Sequence, residues 1–256
     1  MFLAIDVGNT HTVVGVSTIS GIWNARWRIS TVRATLGSDW APLFRSLAER
    51  DDIDLRAVNS VCICSVVPAA TVALTEYARE WLRVEPMIAH SGRRLNILLG
   101  MNNPHEVGTD RIANAVAAWD HCRSACVVVD LGTATKVEAI SDDGVFLGGS
   151  IASGIGASME ALTSRAARLF TVDLAMPESA IGRNTVDALQ AGIVLGHRHL
   201  VSGLVTDIRQ IIGAGAAVLV TGGYAARADS PFRSLGQYEP DLTLNGTRLI
   251  YEMNAD

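Results

Sequence analysis

The segment Phe2-Leu3-Ala4-Ile5-Asp6-Val7-Gly8-Asn9-Thr10 sets an apolar run against a carboxylate, a glycine and two small polar residues. Alone it reads as a strand entering a tight turn, since Gly and Asn are common turn residues. The pattern returns at 127–135, Val-Val-Val-Asp-Leu-Gly-Thr-Ala-Thr, with Asp130 and Gly132 in the same order. One copy in each half of the chain points to a duplicated hairpin rather than to an isolated turn.

Outward from the first copy, residues 2–7, 12–18 and 22–29 alternate or run apolar. They are separated by turn signals at Gly8-Asn9-Thr10 and Ile19-Ser20-Gly21, which predicts an antiparallel three-strand meander. Apolar spacing predicts a helix over 39–50 behind a Ser38-Asp39 cap. A buried strand is expected over 60–68, a helix over 71–84 and a short strand over 85–90. The stretch 102–122 starts as a loop and becomes a helix. The second copy repeats the plan: three strands over 125–153, helices over 156–169 and 186–212, a strand over 216–223 and a closing helix over 247–255. The expected class is α/β, with two domains meeting near 115–125.

The bulk properties exclude several functions. A chain of 256 residues can form two domains with separate cores. The 49% hydrophobic and 18% charged residues are ordinary for a globular α/β protein. The net charge is −5 with scattered Lys and Arg, so no basic face for nucleic acid is expected. No apolar run approaches the ~20 residues of a membrane span, and no signal peptide is read at the N-terminus. Cys62 and Cys64 lie two apart on a strand, and Cys122 and Cys126 fit no zinc spacing. All four read as structural thiols of a reducing cytoplasm. His197 and His199, two apart on a helix, point to different faces and predict no shared metal.

A strand-end Asp before a glycine turn suits a nucleotide. The glycine allows close approach of a phosphate, the turn N–H groups favour anions, and the carboxylate can hold a hydrated cation. Two such hairpins can clamp a triphosphate, and Leu219-Val220-Thr221-Gly222-Gly223 supplies a third glycine turn, suited to the adenosine.

The duplicated hairpin resembles that of the actin, Hsp70 and sugar-kinase superfamily, built from two ribonuclease-H-like domains. Four further stretches resemble signatures of type III pantothenate kinases, in the family order. Asn102–Ala118 (NNPHEVGTDRIANAVAA) is similar to N-P-x-x-V-G-A-D-R-x-x-N, and Gly148–Ile155 (GGSIASGI) to G-G-x-I-x-P-G. The segment 180–196 carries I-G-x-x-T, and 238–254 (YEPDLTLNGTRLIYEMN) resembles D-L-x-L-x-G-L, with Thr247 at the last position.

The resemblance implies two ribonuclease-H-like domains, 1–117 and 118–256, each a mixed sheet with flanking helices. It implies ATP-dependent phosphorylation of pantothenate to 4′-phosphopantothenate, the first step of coenzyme A biosynthesis, by a cytoplasmic homodimer. Asp6, Val7, Gly8, Asn9, Thr10, His11, Thr12 and Val13 match the first phosphate loop, with Asp6 holding Mg2+ through water. Thr133 matches an ATP contact and Asp130 a ligand of a monovalent cation, K+ or NH4+. Met101, Gly108, Thr109, Asp110, Arg111 and Thr185 fall at substrate positions. Asp110 takes the role of base for the substrate hydroxyl, and Thr185 acts from the partner subunit. Chemically, Asp110 can accept the proton of the attacking hydroxyl and Arg111 can fork onto a carboxylate. An exposed Asp-Arg pair capping a helix is the plainer reading of the same dipeptide.

The chain departs from the family pattern at Met101, where a Tyr is usual, at Ser153, where a proline is usual, and at Thr109 for Ala. Lys136 and Glu138 replace a T-x-D. The missing proline is expected to loosen its loop. For Lys136 three readings stand: an ion pair with Glu138 on a solvated outer face, an ammonium beside Asp130 in the place of the cation, or an ammonium that holds Asp130 in a non-productive pair and leaves the protein nearly inactive. The departures also suit a non-catalytic or regulatory homologue that keeps the fold, or a kinase for another small hydroxy acid.

Overall fold

A computed structural model of the chain describes residues 1–18, 21–31, 36–227 and 229–255. Its first elements are β1 (Phe2–Val7), β2 (His11–Ser17), β3 (Ala25–Ser30), α1 (Gly37–Arg50), β4 (Ser60–Ser65), α2 (Pro68–Tyr77), β5 (Met87–Ile88), β6 (Leu98–Leu99) and α3 (Thr109–Cys122). There follow β7 (Cys126–Leu131), β8 (Ala134–Ile140), β9 (Val145–Ser153), α4 (Ile155–Arg165), α5 (Thr185–Gln190), α6 (Gly196–Ile212), β10 (Ala217–Thr221), β11 (Gln237–Tyr238) and α7 (Leu242–Asn254). The expected turn at Ile19-Ser20-Gly21 falls in part outside the described residues.

The chain makes two compact units. One comprises Met1–Asn96, Asn102–Ala117 and Asp241–Asp256; the other comprises Ile97–Met101 and Ala118–Pro240. A single cut at 117/118 places α7 in the second half, yet α7 packs on β1 of the first.

In the first unit the sheet order is β3-β2-β1-β4-β5. β1 is antiparallel to β2 and parallel to β4, the arrangement expected from a meander followed by a helical crossover. β1 is buried on both faces, which explains why its sequence runs apolar instead of alternating. Leu3, Ile5 and Val7 enter a core with Trp27, Phe44, Leu74 and Tyr77, beneath α1 and α2. On the opposite face Ala4 packs with Trp23 and with Leu244 of α7. There Trp23 Nε1 donates to Asn245 Oδ1 at 2.9 Å. Asp6 shares the face of Ala4, two residues away. α1 starts at Gly37, one residue ahead of the expected Ser38-Asp39 cap, and Asp39 instead reaches back to accept from Leu36 N–H at 2.9 Å.

The sheet of the second unit has the order β11-β10-β7-β8-β9-β6. From β9 to β11 it repeats the succession of the first sheet, strand for strand, and β6 is added at the edge. The core of Val127, Val129, Leu131 and Val137 with Val201, Val218, Val220 and Phe232 lies on one face of it. A π-helical turn over Ala191–Leu195 joins α5 to α6, so the expected helix over 186–212 runs through as one rod. The two-residue strands β6 and β11 are too short to leave a period in the sequence.

Candidate active site

The first hairpin places Asp6 one residue before the end of β1, directly paired with Val13 of β2 and Cys64 of β4. Directly paired residues on neighbouring strands project from one face, so the Asp6 carboxylate is flanked by two uncharged side chains. Its turn is closed by Gly8 N–H donating to the His11 carbonyl at 3.0 Å. Thr31 ties the turn down: its N–H donates to Thr10 O at 2.9 Å and its hydroxyl to Gly8 O at 2.8 Å.

Asn9 and Thr10 are exposed at the tip. Thr12, by contrast, is fully buried, with its hydroxyl 2.9 Å from that of Thr31. Val7 is a core residue and Val13 packs against the Ala4-Trp23-Leu244 cluster. Of the eight positions 6–13, then, three side chains serve the strand pair. His11 Nδ1 lies 3.2 Å from Arg28 Nη2. Burial, and then the Arg28 charge, push its pKa below the usual histidine value.

The Gly108-Thr109-Asp110-Arg111 segment opens α3. Thr109 Oγ1 donates to Ser65 O at 3.0 Å, pinning the helix start to the end of β4. Asp110 lies in the first turn, where the helix dipole favours an anion, and its Oδ1 accepts from Arg111 N–H at 2.9 Å. A Cβ at Gly108 would stand 2.6 Å from that same Oδ1, so a glycine is required for the carboxylate to turn this way. Further along α3 the buried Asn114 accepts from Thr243 Oγ1 at 2.7 Å, fixing α3 against α7.

Cys64 links the two motifs. Its thiol pKa is pushed well up, first by burial and then by the Asp6 charge, with Asp110 adding to the effect. The two carboxylates that the sequence separates by about a hundred positions therefore act on one buried thiol. Nothing in the sequence marked Cys64 beyond a core strand; only its parallel pairing with Asp6 reveals it.

The second hairpin repeats the geometry with different chemistry. Asp130 is paired with Lys136 of β8 and Thr221 of β10. Lys136 Nζ donates to Asp130 Oδ2 at 2.7 Å, and each side chain is only 13% exposed. This overturns the solvated outer face expected for Lys136 and Glu138: Lys136 is mostly shielded and reaches Asp130, and Glu138 is itself buried. Thr133 is exposed at the turn, and its carbonyl accepts from Gly154 N–H at 3.1 Å. Ser153, expected to loosen this loop, is the last paired residue of β9, opposite Ala134. Thr135 is buried, 2.8 Å from His197 Nε2. The glycine turn after β10 packs here too: Gly222 has φ +96°, and a Cβ on it would meet the Leu131 backbone at 2.6 Å.

Met101 lies near Gly148 in the second unit, whereas Gly108–Arg111 belong to the first. Thr185 is exposed at the start of α5, behind Asn184, whose side chain accepts from Asp187 N–H at 2.9 Å. Among the described residues no cluster of three or more His, Cys, Asp or Glu could cage a metal ion, and no helix is long and apolar enough to cross a membrane. A cation bound at the first hairpin would take its remaining ligands from water and from a phosphate-bearing substrate, as magnesium usually does.

The fold recurs in solved structures. A conserved putative Baf family transcriptional activator from Campylobacter jejuni superposes with a TM-score of 0.60 at 18% identity, covering 98% of each chain. A ROK family glucokinase from Streptomyces griseus, in complex with glucose and AMPPNP, does so with a TM-score of 0.50 at 13% identity, over 96% of this chain and 97% of that one. These likenesses fix the fold and nothing finer. Sequence goes further. The family model of type III pantothenate kinase matches residues 2–207. A type III pantothenate kinase from Thermomicrobium roseum is 41% identical over 252 residues, spanning 98% of this chain and 97% of its own. Such identity, end to end, is far above what the shared fold alone produces in the solved structures, and this chain belongs to the type III pantothenate kinase family.

Proposed function

We propose that the chain transfers the γ-phosphoryl group of ATP to the 4′ hydroxyl of pantothenate. The hydroxyl oxygen attacks the γ-phosphorus as the bond to the departing ADP oxygen breaks, and the hydroxyl proton passes to Asp110. The observation that carries this reading is the Gly108–Arg111 helix start: a glycine-cleared carboxylate beside an Arg, in the same neighbourhood as the Asp6 hairpin. In such a reaction the protein chiefly positions groups and neutralises charge. Asp110 orients the hydroxyl and Arg111 offers a fork of donors to the pantothenate carboxylate. The N–H groups of the Gly8-Asn9-Thr10 turn are suited to nucleotide phosphates, and in the other unit Thr133 offers a hydroxyl at the second glycine turn.

A magnesium ion fits at Asp6, which offers a hard carboxylate oxygen at a strand end between uncharged neighbours. When bound it would offset the phosphate charge. A potassium or ammonium ion at Asp130 does not fit the residues present, because Oδ2 already accepts from an ammonium group at 2.7 Å. A homodimer is supported by the exposed Phe170, Met176 and Ile181 just ahead of Thr185, a run of apolar side chains suited to burial against a second copy. A reducing cytoplasmic setting is supported by four free thiols.

The test is ADP release coupled to pantothenate addition, with Mg2+ and ATP. Wild type is expected to turn over with pantothenate and not without it. Asp110→Asn is expected to keep the fold and lose on the order of 10²–10⁴ in kcat, the usual cost of removing a general base. A variant within a few-fold of wild type removes Asp110 from the mechanism.

A further inference from the structure

The two hairpins share a register but not a charge. Asp6 is paired with Val13 and Cys64; Asp130 is paired with Lys136 and Thr221. The second carboxylate thus has a cation of the chain's own on its cross-strand neighbour, at 2.7 Å and with both side chains mostly shielded from water. An exposed pair of this kind contributes little, because water screens it and two long side chains lose freedom. A shielded pair with a short charge-assisted bond is held in place.

From this contact we infer that Lys136 is a resident counter-ion: its ammonium occupies the place at Asp130 where a diffusible monovalent cation would otherwise sit. The inference rests on the kinase reading above and deepens it. A bound potassium ion and the Lys136 ammonium carry the same charge. They differ in attachment: the potassium ion must be taken from solution, with the loss of its translational freedom, while the ammonium is delivered by a strand already fixed in the sheet. It comes from β8, which the hairpin registers against β7, so its position is set by folding and not by the salt in the buffer. Asp130 needs a positive partner if it is to lie near phosphates without repelling them, and Lys136 supplies one permanently. Lys136 acts through Asp130 and is a positioning residue. The consequence is an enzyme whose nucleotide affinity and turnover are indifferent to added potassium or ammonium.

The experiment compares wild type and Lys136→Thr in sodium, potassium and ammonium chloride at equal ionic strength. Two quantities are read: Mg-ADP affinity by calorimetry, and pantothenate-dependent ADP release. Wild type is expected to vary by less than about twofold across the salts in either readout. Lys136→Thr is expected to bind Mg-ADP on the order of tenfold more weakly in sodium and to recover in potassium and ammonium, a coupling of ordinary size between two bound ligands. Recovery by a specific ion is something a merely structural lysine does not produce. Potassium stimulation of the wild type overturns the inference. So does a folded Lys136→Thr variant indifferent to potassium, or a lack of nucleotide binding in every salt. Should the variant fail to fold, the wild-type salt series still decides. The binding readout also separates the two readings: salt-independent Mg-ADP binding without pantothenate turnover sinks the proposed substrate and leaves the counter-ion standing.

Discussion

The hairpin of residues 2–17 and the hairpin of residues 126–140 are two solutions to one construction problem. In each, a strand-end aspartate precedes an apolar residue and a glycine. In each, a threonine just past the turn is buried and tied by its hydroxyl: Thr12 to Thr31, and Thr135 to His197. The shared features are those that shape the turn. The difference lies at the residue opposite the aspartate, Val13 in the first and Lys136 in the second. Asp6 faces the uncharged Val13 and Cys64 across its two strand pairings. With Lys136 at hand, Asp130 has spent much of its charge inside the protein. A duplicated fold has therefore kept its geometry while its two carboxylates took different partners.

The largest expected consequence concerns the carboxylates themselves. Asp6→Asn keeps the shape and removes the charge. It is expected to lower kcat on the order of 10²–10³, as is usual when one preorganised electrostatic contact in a transition state is lost. It should also raise the magnesium concentration needed for half activity. Because neither cross-strand neighbour of Asp6 is charged, the melting temperature should fall less than in the corresponding Asp130 variant. Steady-state rates over a magnesium titration, with a thermal melt alongside, check both parts. A large loss of Tm would show that the Asp6 charge is also used within the fold.

Asp130→Asn should show the reverse profile in stability. It takes the carboxylate charge away from the Lys136 ammonium in a shielded site, and removing one partner of such a pair costs about 3 kcal/mol. For a chain of this size that lowers Tm by roughly 6–12 °C. Lys136→Met in the same background should restore part of the loss, because the ammonium deprived of Asp130 is removed with it. Thermal unfolding of the single and double variants measures this. An Asp130→Asn protein as stable as wild type would mean that the pair is solvated in practice, and the contrast between the hairpins would fall with it.

Much of this was legible in the sequence, for physical reasons that differ by element. The hairpins were legible because the period of two, a glycine turn and a repeated Asp are local signals. The start of α3 was legible as a motif, and the clearance demanded at Gly108 explains why the motif carries a glycine. The packing of α7 on β1 was not legible, because it joins residues from opposite ends of the chain and no local pattern records that. Cys64 was invisible for a related reason: its meaning comes from β4 lying parallel to β1, across a helical connection. Lys136 was half legible. Alternation put it on a face with Glu138, which suggested a solvated pair along the strand. That face is shielded instead of solvated, and the ammonium reaches the cross-strand Asp130.

The smallest expected effect separates the two buried threonines. Thr12 bonds another hydroxyl, which does not titrate near neutrality. Thr135 bonds His197, whose pKa burial pushes below the ordinary 6.5. The folded state therefore favours the neutral imidazole, while the unfolded chain takes up its proton near pH 6.5. Below that pH the unfolded state binds more protons, so stability is fully present above pH 6.5 and is lost progressively as pH falls through it toward the lower folded value. One histidine can contribute at most about 1.4 kcal/mol per pH unit to that slope. Denaturant titrations at pH 7.5 and 5.5 on wild type and His197→Gln measure it. The variant, which keeps a hydrogen-bonding group without a titration in this range, should flatten the slope. His11 and His90, also lowered mainly by burial, leave a residual slope in both proteins. An unchanged slope in His197→Gln would mean that the Thr135–His197 contact accepts the proton without loss. The second hairpin would then be as indifferent to pH as the first is at Thr12.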